Sequence, residues 1–485
     1  MDFKNTAISG VKWTTVDKVG KAVFQLLQVA ILTRFLPKEA FGLVAMAVVV
    51  IGFTNIFVDM GLTSAILHKQ EATVNEYSSI YWLNIFISVG LYILLIIATP
   101  FVADFYSEKE LLTIVPILGA NILLIALGRQ HRTIMQKEFR FKPIALVELS
   151  AYFVGVIVAV ILAYRGAGVY SLVYSTLTAS TITNILFLGI NIRLNPIRLH
   201  FSYKDTVPFL RVGGYQMGSK ILDFASREAD VFIVGKMLGA EALGLYSLSK
   251  QIVSKLFSLI NPIVVNVLSP LLSSIQKESE RLKSTFLKVV KYLAYINFPL
   301  YFLILINSRE ILSIVYGSEY AEGFLVLSLL AVYYCIISLS NPVGSLQIAT
   351  GRTDIGFVWT ILRVIISPVF IFMGSIYSIN GVALSIAILA VILLIPMWYM
   401  QLRPMADIAL REYFEQFYKP LSVFLIFGLF ALAGEYFISL EPLFMSLVTK
   451  TVLFTILFAG ALLLIDRKSL KSFWKFANSS LRKSI

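Results

Sequence analysis

TRFLPKEAFGLVAMA (residues 33–47) and GKMLGAEALGLYSLS (residues 235–249) are two copies of one motif, 202 positions apart. Five identical residues recur in order: Leu36, Glu39, Ala40, Gly42 and Leu43 as Leu238, Glu241, Ala242, Gly244 and Leu245. Two later matches keep this order, at offsets of 212 and 213: Arg140 with Arg352, and Gly168-Val169 with Gly381-Val382. Each copy joins two long apolar segments. The repeat therefore predicts two similar halves, each beginning with a pair of apolar segments.

The composition around this motif excludes an ordinary soluble protein. Hydrophobic residues make up 58% of the 485 positions and charged residues 14%, against about 45–50% and about 25% in globular domains. A chain with so few charges cannot cover a soluble surface. The single cysteine, Cys335, excludes a disulfide framework and a thiolate metal cluster. The sequence thus predicts an all-α polytopic membrane protein.

Apolar segments of about 20 residues mark membrane-spanning helices, and we identify fourteen. They lie near 12–33, 41–66, 79–103, 111–128, 143–163, 168–190, 207–234, 243–272, 289–307, 323–350, 355–377, 381–400, 420–438 and 446–465. Combined with the repeat, they predict an N-lobe (1–200), a C-lobe (201–405) and a C-terminal helix pair with a basic tail (406–485). Because six helices return the chain to the same side, the lobes should be related by a pseudo-two-fold axis along the membrane normal.

The positive charges follow the positive-inside rule. With the N-terminus inside, 27 of the 41 Lys and Arg residues fall on the inner side and 6 on the outer side. This distribution predicts a multi-pass membrane protein with an even number of spans and both termini cytoplasmic. It also explains the net charge of +13 without a nucleic-acid partner. The most basic pieces, 129–142 and 466–485, are interpreted as an inner loop and a tail that contact anionic membrane lipids.

Ionisable residues inside the spans indicate a polar interior, because a charge facing lipid costs about 2.5–3.5 kcal/mol. In span seven, Lys220, Asp223, Arg227 and Asp230 follow steps of 3, 4 and 3, which place them on one helix face. Span one carries Lys18, Lys21, Gln25 and Gln28 at the same steps and in the same register of the repeat. These stripes line a water-filled cavity between the halves or form mutually neutralised structural pairs; we favour the cavity.

The residues of this cavity indicate its substrate. Ammonium and guanidinium groups suit phosphate oxygens, and uncharged amides suit sugar hydroxyls, so we expect an anionic, sugar-bearing amphiphile. The candidate substrate-binding residues are Lys18, Lys21, Gln25, Gln28, Lys220, Arg227, Lys250 and Lys255. The sequence has no phosphate-binding loop, zinc-helix motif or nucleophile elbow, and we expect neither a resident metal nor enzymatic activity.

Several motifs resemble bacterial polysaccharide exporters of the multidrug/oligosaccharidyl-lipid/polysaccharide flippase superfamily, with colanic-acid and teichuronic-acid exporters the most similar. They include the opening 8–47, DMGLTSAILHKQ (59–70), YWLN (81–84), MQKEFRFK (135–142), INFPL (296–300) and NPVGSLQIATGRTDI (341–355). The resemblance implies two six-helix lobes plus two helices, and alternating-access transport of undecaprenyl-pyrophosphate-linked oligosaccharide. It further implies a polysaccharide polymerase and glycosyltransferases as partners. The alternative is an ion-coupled multidrug antiporter, which typically lacks the last two spans.

Transport by alternating access can be driven by a proton or sodium gradient. The ion-coupling candidates are Asp59, Glu148, Asp223, Glu228 and Asp230. Glu148 is the one acidic residue of span five and is expected to lack a basic partner, a condition that raises a carboxyl pKa and lets the group carry a proton. Its other interpretation is a hydrogen-bonded structural group.

Overall fold

The computed structural model describes residues 3–59, 61–69, 72–435 and 443–484, and within these ranges every regular element is a helix. The first ten α-helices are α1 Phe3–Leu32, α2 Lys38–Asp59, α3 Leu62–His68, α4 Val74–Tyr106, α5 Leu111–Gly119, α6 Asn121–Lys137, α7 Phe141–Tyr164, α8 Tyr170–Asn191, α9 Tyr203–Ser274 and α10 Ser279–Ile306. The others are α11 Ser308–Val315, α12 Phe324–Ser340, α13 Val343–Thr350, α14 Thr353–Ser375, α15 Ile379–Ile392, α16 Leu394–Met397, α17 Arg403–Ala406, α18 Leu410–Glu415, α19 Tyr418–Glu435 and α20 Leu443–Ser484. A 3₁₀ turn covers Ser318–Gly323, and one π-helical turn covers Trp398–Leu402.

The chain divides into two compact units, Met1–Ser247 and Leu248–Ile485. In the first unit, α1 packs on α7, α7 and α6 pack on α8, and α2 packs on α5. In the second unit, α12 packs between α10 and α15, and α10 also contacts α19 and α20. Phe302 of α10 joins the last two helices, because its ring stacks on Phe454 at 3.8 Å and meets Phe424 edge-on at 5.0 Å.

Eleven helical segments in the described ranges are long and apolar enough to cross a membrane. Their apolar side chains stay exposed along α4, where Phe86, Ile93, Ile97 and Phe101 form one face, as expected for a surface solvated by lipid. This confirms the predicted all-α polytopic class. Within the described residues, each of the fourteen predicted spans falls in helical segments; residue 60 of the second span and residues 436–438 of the thirteenth lie outside the described ranges. Three differences explain why eleven segments are found and not fourteen. Helix α1 is too polar, α19 contributes only the shorter apolar segment Tyr418–Phe427, and spans seven and eight form one segment, Lys220–Asn261. The number of crossings stays a prediction, as does the division at residues 200 and 405.

Local backbone chemistry sets where these helices break. Gly61 adopts φ 68° between α2 and α3, so the predicted second span divides there. Thr73 starts α4 with a capping box, in which its hydroxyl accepts from the backbone of Glu76 and the Glu76 carboxylate accepts from the backbone of Thr73. Inside α9, Gly239 has φ 82° and interrupts the helix at the second copy of the motif. Glycine fits there because a Cβ would strain this left-handed conformation.

The predicted inner loop 129–142 is wrong over most of its length. Helix α6 continues to Lys137, and Gln130, His131 and Thr133 are buried in it. The amide of Gln130 donates to the backbone carbonyl of Tyr77 at 2.9 Å. A polar composition was interpreted as a loop, whereas these polar groups are packed against other helices of the first unit.

Candidate functional site

One group of charged side chains lies where α1, α6 and α7 meet, and we call it the Glu148 cluster: Asp17, Lys21, Arg132 and Glu148. Lys21 pairs with Asp17 at 2.7 Å and also donates to the Glu148 carboxylate. Arg132 reaches the other oxygen of Glu148 at 2.6 Å. Two cations and two carboxylates thus balance inside the first unit. Helix α1 provides this geometry because Asp17 and Lys21 are four residues apart and share one face.

The expectation that Glu148 lacks a partner is therefore wrong. Its side chain is 8% exposed and binds cations from two other helices. This double pairing matches the structural interpretation of Glu148. Asp17 differs, because its Oδ1 atom is buried and has no hydrogen-bond partner among the described residues.

A second group, the Asp59 cluster, consists of Asp59, Thr63, Arg129 and Lys220. Lys220 of α9 pairs with Asp59 at 2.6 Å, and the Thr63 hydroxyl donates to the same carboxylate at 2.6 Å. Arg129 of α6 lies 3.6 Å from Asp59, too far for a hydrogen bond, and its Nη1 is buried without a hydrogen-bond partner among the described residues. Two cations therefore converge on one carboxylate. This cluster has a surplus positive charge, unlike the Glu148 cluster.

Only part of the predicted stripe on span seven forms an exposed surface. Lys220, Asp223 and Arg227 are exposed, and Arg227 pairs with Asp223 at 3.3 Å. Asp230 is buried and accepts a hydrogen bond from the Tyr246 hydroxyl at 2.7 Å. Glu228 is half-buried. The exposed part of the stripe is therefore a continuation of the Asp59 cluster along α9, and Asp230 belongs to the packing of the same unit.

The other predicted residues are Lys18, Gln25, Gln28, Lys250 and Lys255. On α1, Lys18 is exposed and makes no ion pair within the part of the chain that the structure describes. Gln25 and Gln28 are half-buried, and Gln28 donates to the Ser175 hydroxyl at 2.8 Å. Lys250 and Lys255 are half-buried in the second unit. The predicted cavity between the halves stays a prediction.

Arg129 and Arg132 lie in helix α6, where the sequence predicts an inner loop. Both were assigned to an inner loop, yet they bind Asp59 and Glu148 inside the first unit. A spacing of three residues puts them on one helix face. This spacing, within a segment of helical periodicity, is the sequence signal that indicates a helix with both arginines on one face.

Chemically, the surplus positive charge of the Asp59 cluster suits an anion, whereas the charges of the Glu148 cluster balance one another. No group of three or more His, Cys, Asp or Glu side chains with metal-site geometry occurs in the described ranges. Apolar helices with charges paired inside them define a multi-pass helical membrane protein.

Comparison with known proteins identifies the family of the chain. The profile of the polysaccharide biosynthesis protein family matches residues 31–324, and the chain belongs to this family. It is similar to lipopolysaccharide biosynthesis protein WzxC of Escherichia coli K12, at 26% identity over 87% of this chain and 86% of the relative. It is also similar to teichuronic acid biosynthesis protein TuaB of Bacillus subtilis 168, at 28% identity over 87% and 88%. These findings confirm the resemblance to the colanic-acid and teichuronic-acid branch.

Solved structures share the fold. Lipid II flippase MurJ in an inward closed conformation superposes with a TM-score of 0.73 at 14% identity, covering 93% of this chain and 99% of that one. An inward-facing multidrug resistance MATE family transporter of the MOP superfamily gives 0.62 at 15% identity, covering 79% and 94%. The chain therefore has the fold that these two structures share.

Proposed function

We propose that this protein is a flippase that moves undecaprenyl-pyrophosphate-linked oligosaccharide across the bacterial cytoplasmic membrane by alternating access. The observation that carries the proposal is the Asp59 cluster, where Lys220 and Arg129 converge on one carboxylate. The family membership supports the substrate class, since polysaccharide repeat units are built on lipid carriers. The protein is a transporter and not an enzyme: its chemistry is binding, release and reorientation.

The cations of the Asp59 cluster have a direct role in this proposal. A pyrophosphate carries more negative charge than a carboxylate and offers oxygens for bidentate pairing with a guanidinium. Without substrate, Asp59 keeps Lys220 and Arg129 from being isolated charges in an apolar setting. When the pyrophosphate enters, it competes with Asp59 for both cations. Asp59 thus lowers the affinity of the two cations for the head group, so that the head group can dissociate on the outer side of the membrane.

The exposed polar residues nearby fit the rest of the substrate. Arg227, which pairs with Asp223, and Lys18 are exposed cations in the first unit, and we propose that they contact the second phosphate. Gln25 of α1 carries an amide that can donate to and accept from sugar hydroxyls. Lys250 and Lys255 are proposed to serve the same head group. The exporter's membrane setting brings contacts with membrane lipids, and we propose that a polysaccharide polymerase and glycosyltransferases act on the same substrate before and after it.

The driving ion is proposed to bind at the Glu148 cluster. Asp17 has an unpartnered buried oxygen beside the Lys21–Glu148 pair. A proton that binds Asp17 would break its pair with Lys21 and leave Lys21 paired with Glu148 alone, and we propose this exchange as the coupling step. Sodium is the alternative ion. Asp59, Asp223, Glu228 and Asp230 remain further coupling candidates.

The second candidate function is ion-coupled multidrug extrusion, favoured by the MATE-like fold. Organic cations would be repelled by a cluster with a surplus positive charge, which supports the flippase instead. The test is a reconstituted assay with full-length protein in vesicles. We expect an undecaprenyl-pyrophosphate oligosaccharide in the inner leaflet to become accessible to an external glycosidase, and a fluorescent lipophilic cation to remain untransported. Cation transport without oligosaccharide translocation would reverse the assignment.

A further inference from the structure

A cavity of about 610 Å³ opens in the second unit beside α10, α18 and α19. Lys291 and Tyr295 line it from α10, and Arg411 and Phe414 line it from α18. Tyr418 and Lys419, the first two residues of α19, complete the wall. None of these lining residues belongs to the Asp59 or the Glu148 cluster.

The charges at the cavity favour an anion. Its lining holds three cations, Lys291, Arg411 and Lys419, against one carboxylate, Glu415, which pairs with Arg411 at 2.8 Å. The nearby Glu412 does not offset this surplus, because it pairs with Lys283 at 2.7 Å. The hydrogen bond from Lys283 holds the pKa of Glu412 below its ordinary value, so this carboxylate stays ionised and engaged outside the cavity.

The residues around the cavity have the composition of a membrane–water interface. Helix α10 lies in a candidate membrane-spanning segment, and α19 contains the apolar stretch Tyr418–Phe427. Leu425 lies seven residues beyond Tyr418, which is about 10 Å along the same face of α19. Both Leu425 and its neighbour Ile426 are more than half exposed. A basic opening is thus continuous with an exposed apolar helix face, with aromatic rings at the junction, as is typical of the membrane–water interface.

We propose that this cavity binds an anionic glycerophospholipid, with its phosphate among Lys291, Arg411 and Lys419 and its acyl chains along the exposed face of α19. Basic pockets between membrane helices bind anionic head groups in this way. The apolar face distinguishes a lipid from free phosphate, since inorganic phosphate would use the cations alone. A lipid held here would fix α18 and α19 at the membrane surface.

The test uses purified full-length protein, stripped of lipid in detergent and titrated with phosphatidylglycerol, with bound lipid counted by native mass spectrometry. The variant is Lys291→Gln/Arg411→Gln/Lys419→Gln. The matched control is Lys277→Gln/Arg281→Gln/Lys288→Gln, which removes equal charge from exposed positions just before α10 and within its first ten residues, outside the cavity lining. We expect the variant to lose at least about tenfold in phosphatidylglycerol affinity and the control to stay near wild type. Phosphatidylcholine binding should be equal in all three proteins.

Three outcomes would overturn the proposal: equal phosphatidylglycerol binding by variant and wild type, an equal loss in the control, or displacement of the lipid by millimolar inorganic phosphate. If the triple variant does not fold, as judged by thermal melting, the single variant Lys419→Gln gives the same comparison against Lys288→Gln. The binding measurement needs no transport activity, so its result is independent of the proposed flippase function.

Discussion

Gly42 lies against Ala240 so closely that a Cβ at Gly42 would be 1.8 Å from the Ala240 carbonyl oxygen. The reciprocal contact joins Gly244 to Lys38, where a Cβ would be 1.9 Å from the carbonyl oxygen. Lys38 and Ala240 are themselves equivalent positions of the repeat, 202 residues apart. The two copies of the motif therefore meet in a contact with two-fold symmetry inside the first unit. This explains why both copies keep glycine at the same place.

The first prediction concerns this contact. Gly42→Ala should push the two copies apart, because its methyl group would meet backbone rather than a movable side chain; forced overpacking costs about 1–3 kcal/mol. We expect lower disulfide yield between Lys38→Cys and Ala240→Cys in a Cys335→Ser background. Gly90→Ala is the control, since nothing lies within 4 Å of a Cβ there. An unchanged yield in Gly42→Ala would contradict the close contact.

The second prediction tests the Glu148 cluster. Glu148→Gln should lower the free energy of unfolding by about 3 kcal/mol, the lower end for a buried pair, because it removes the buried carboxylate that the half-buried Lys21 and Arg132 share. The measurement is thermal melting of the purified protein. Glu138→Gln is the control, since Glu138 is 40% exposed and meets Arg140 at 3.5 Å, and its loss should shift the melting temperature little. Equal melting of the two variants would show that the cluster contributes nothing to stability.

Much of this architecture could be predicted from the sequence, because hydropathy and the repeat are properties of the chain itself. The helical class and the positions of the apolar segments follow from them. The partners of Asp59 and Glu148 do not follow. Arg129 and Arg132 lie in a polar segment, and a local interpretation treats polar residues as a loop. Only the packing of α6 against α2 and α7 shows that these arginines meet carboxylates far away in sequence.

A third prediction separates substrate binding from structural pairing on the exposed stripe. Arg227 and Asp223 are both more than half exposed, and such pairs contribute about 0–1 kcal/mol. Arg227→Gln should therefore keep wild-type abundance and melting temperature while it reduces oligosaccharide translocation. Arg227→Lys should recover only part of the activity, because lysine lacks the bidentate fork. Full transport by Arg227→Gln would remove Arg227 from the binding site.

The fourth prediction concerns the membrane topology. Reporter fusions after residues 140, 200, 280 and 410 should report a cytoplasmic location, and fusions after 107 and 316 an external one. The physical basis is the concentration of Lys and Arg on one side of the predicted spans. The measurement is the activity ratio of a cytoplasmic and an external reporter at each site. An external location at 140 or 200 would contradict the arrangement of both halves.

The most direct measurement is oligosaccharide translocation by Lys220→Gln compared with Lys220→Gln/Asp59→Asn in reconstituted vesicles. If Lys220 and Arg129 hold the pyrophosphate, both variants should translocate poorly, because neither restores the missing cation. Lys109→Gln, which removes an exposed cation far along the chain from the cluster, should translocate normally. If Lys220 serves only to neutralise Asp59, the single variant keeps a balanced Arg129–Asp59 pair and should translocate normally, whereas the double variant leaves Arg129 uncompensated. Translocation at wild-type levels by Lys220→Gln would contradict a head-group role for the Asp59 cluster.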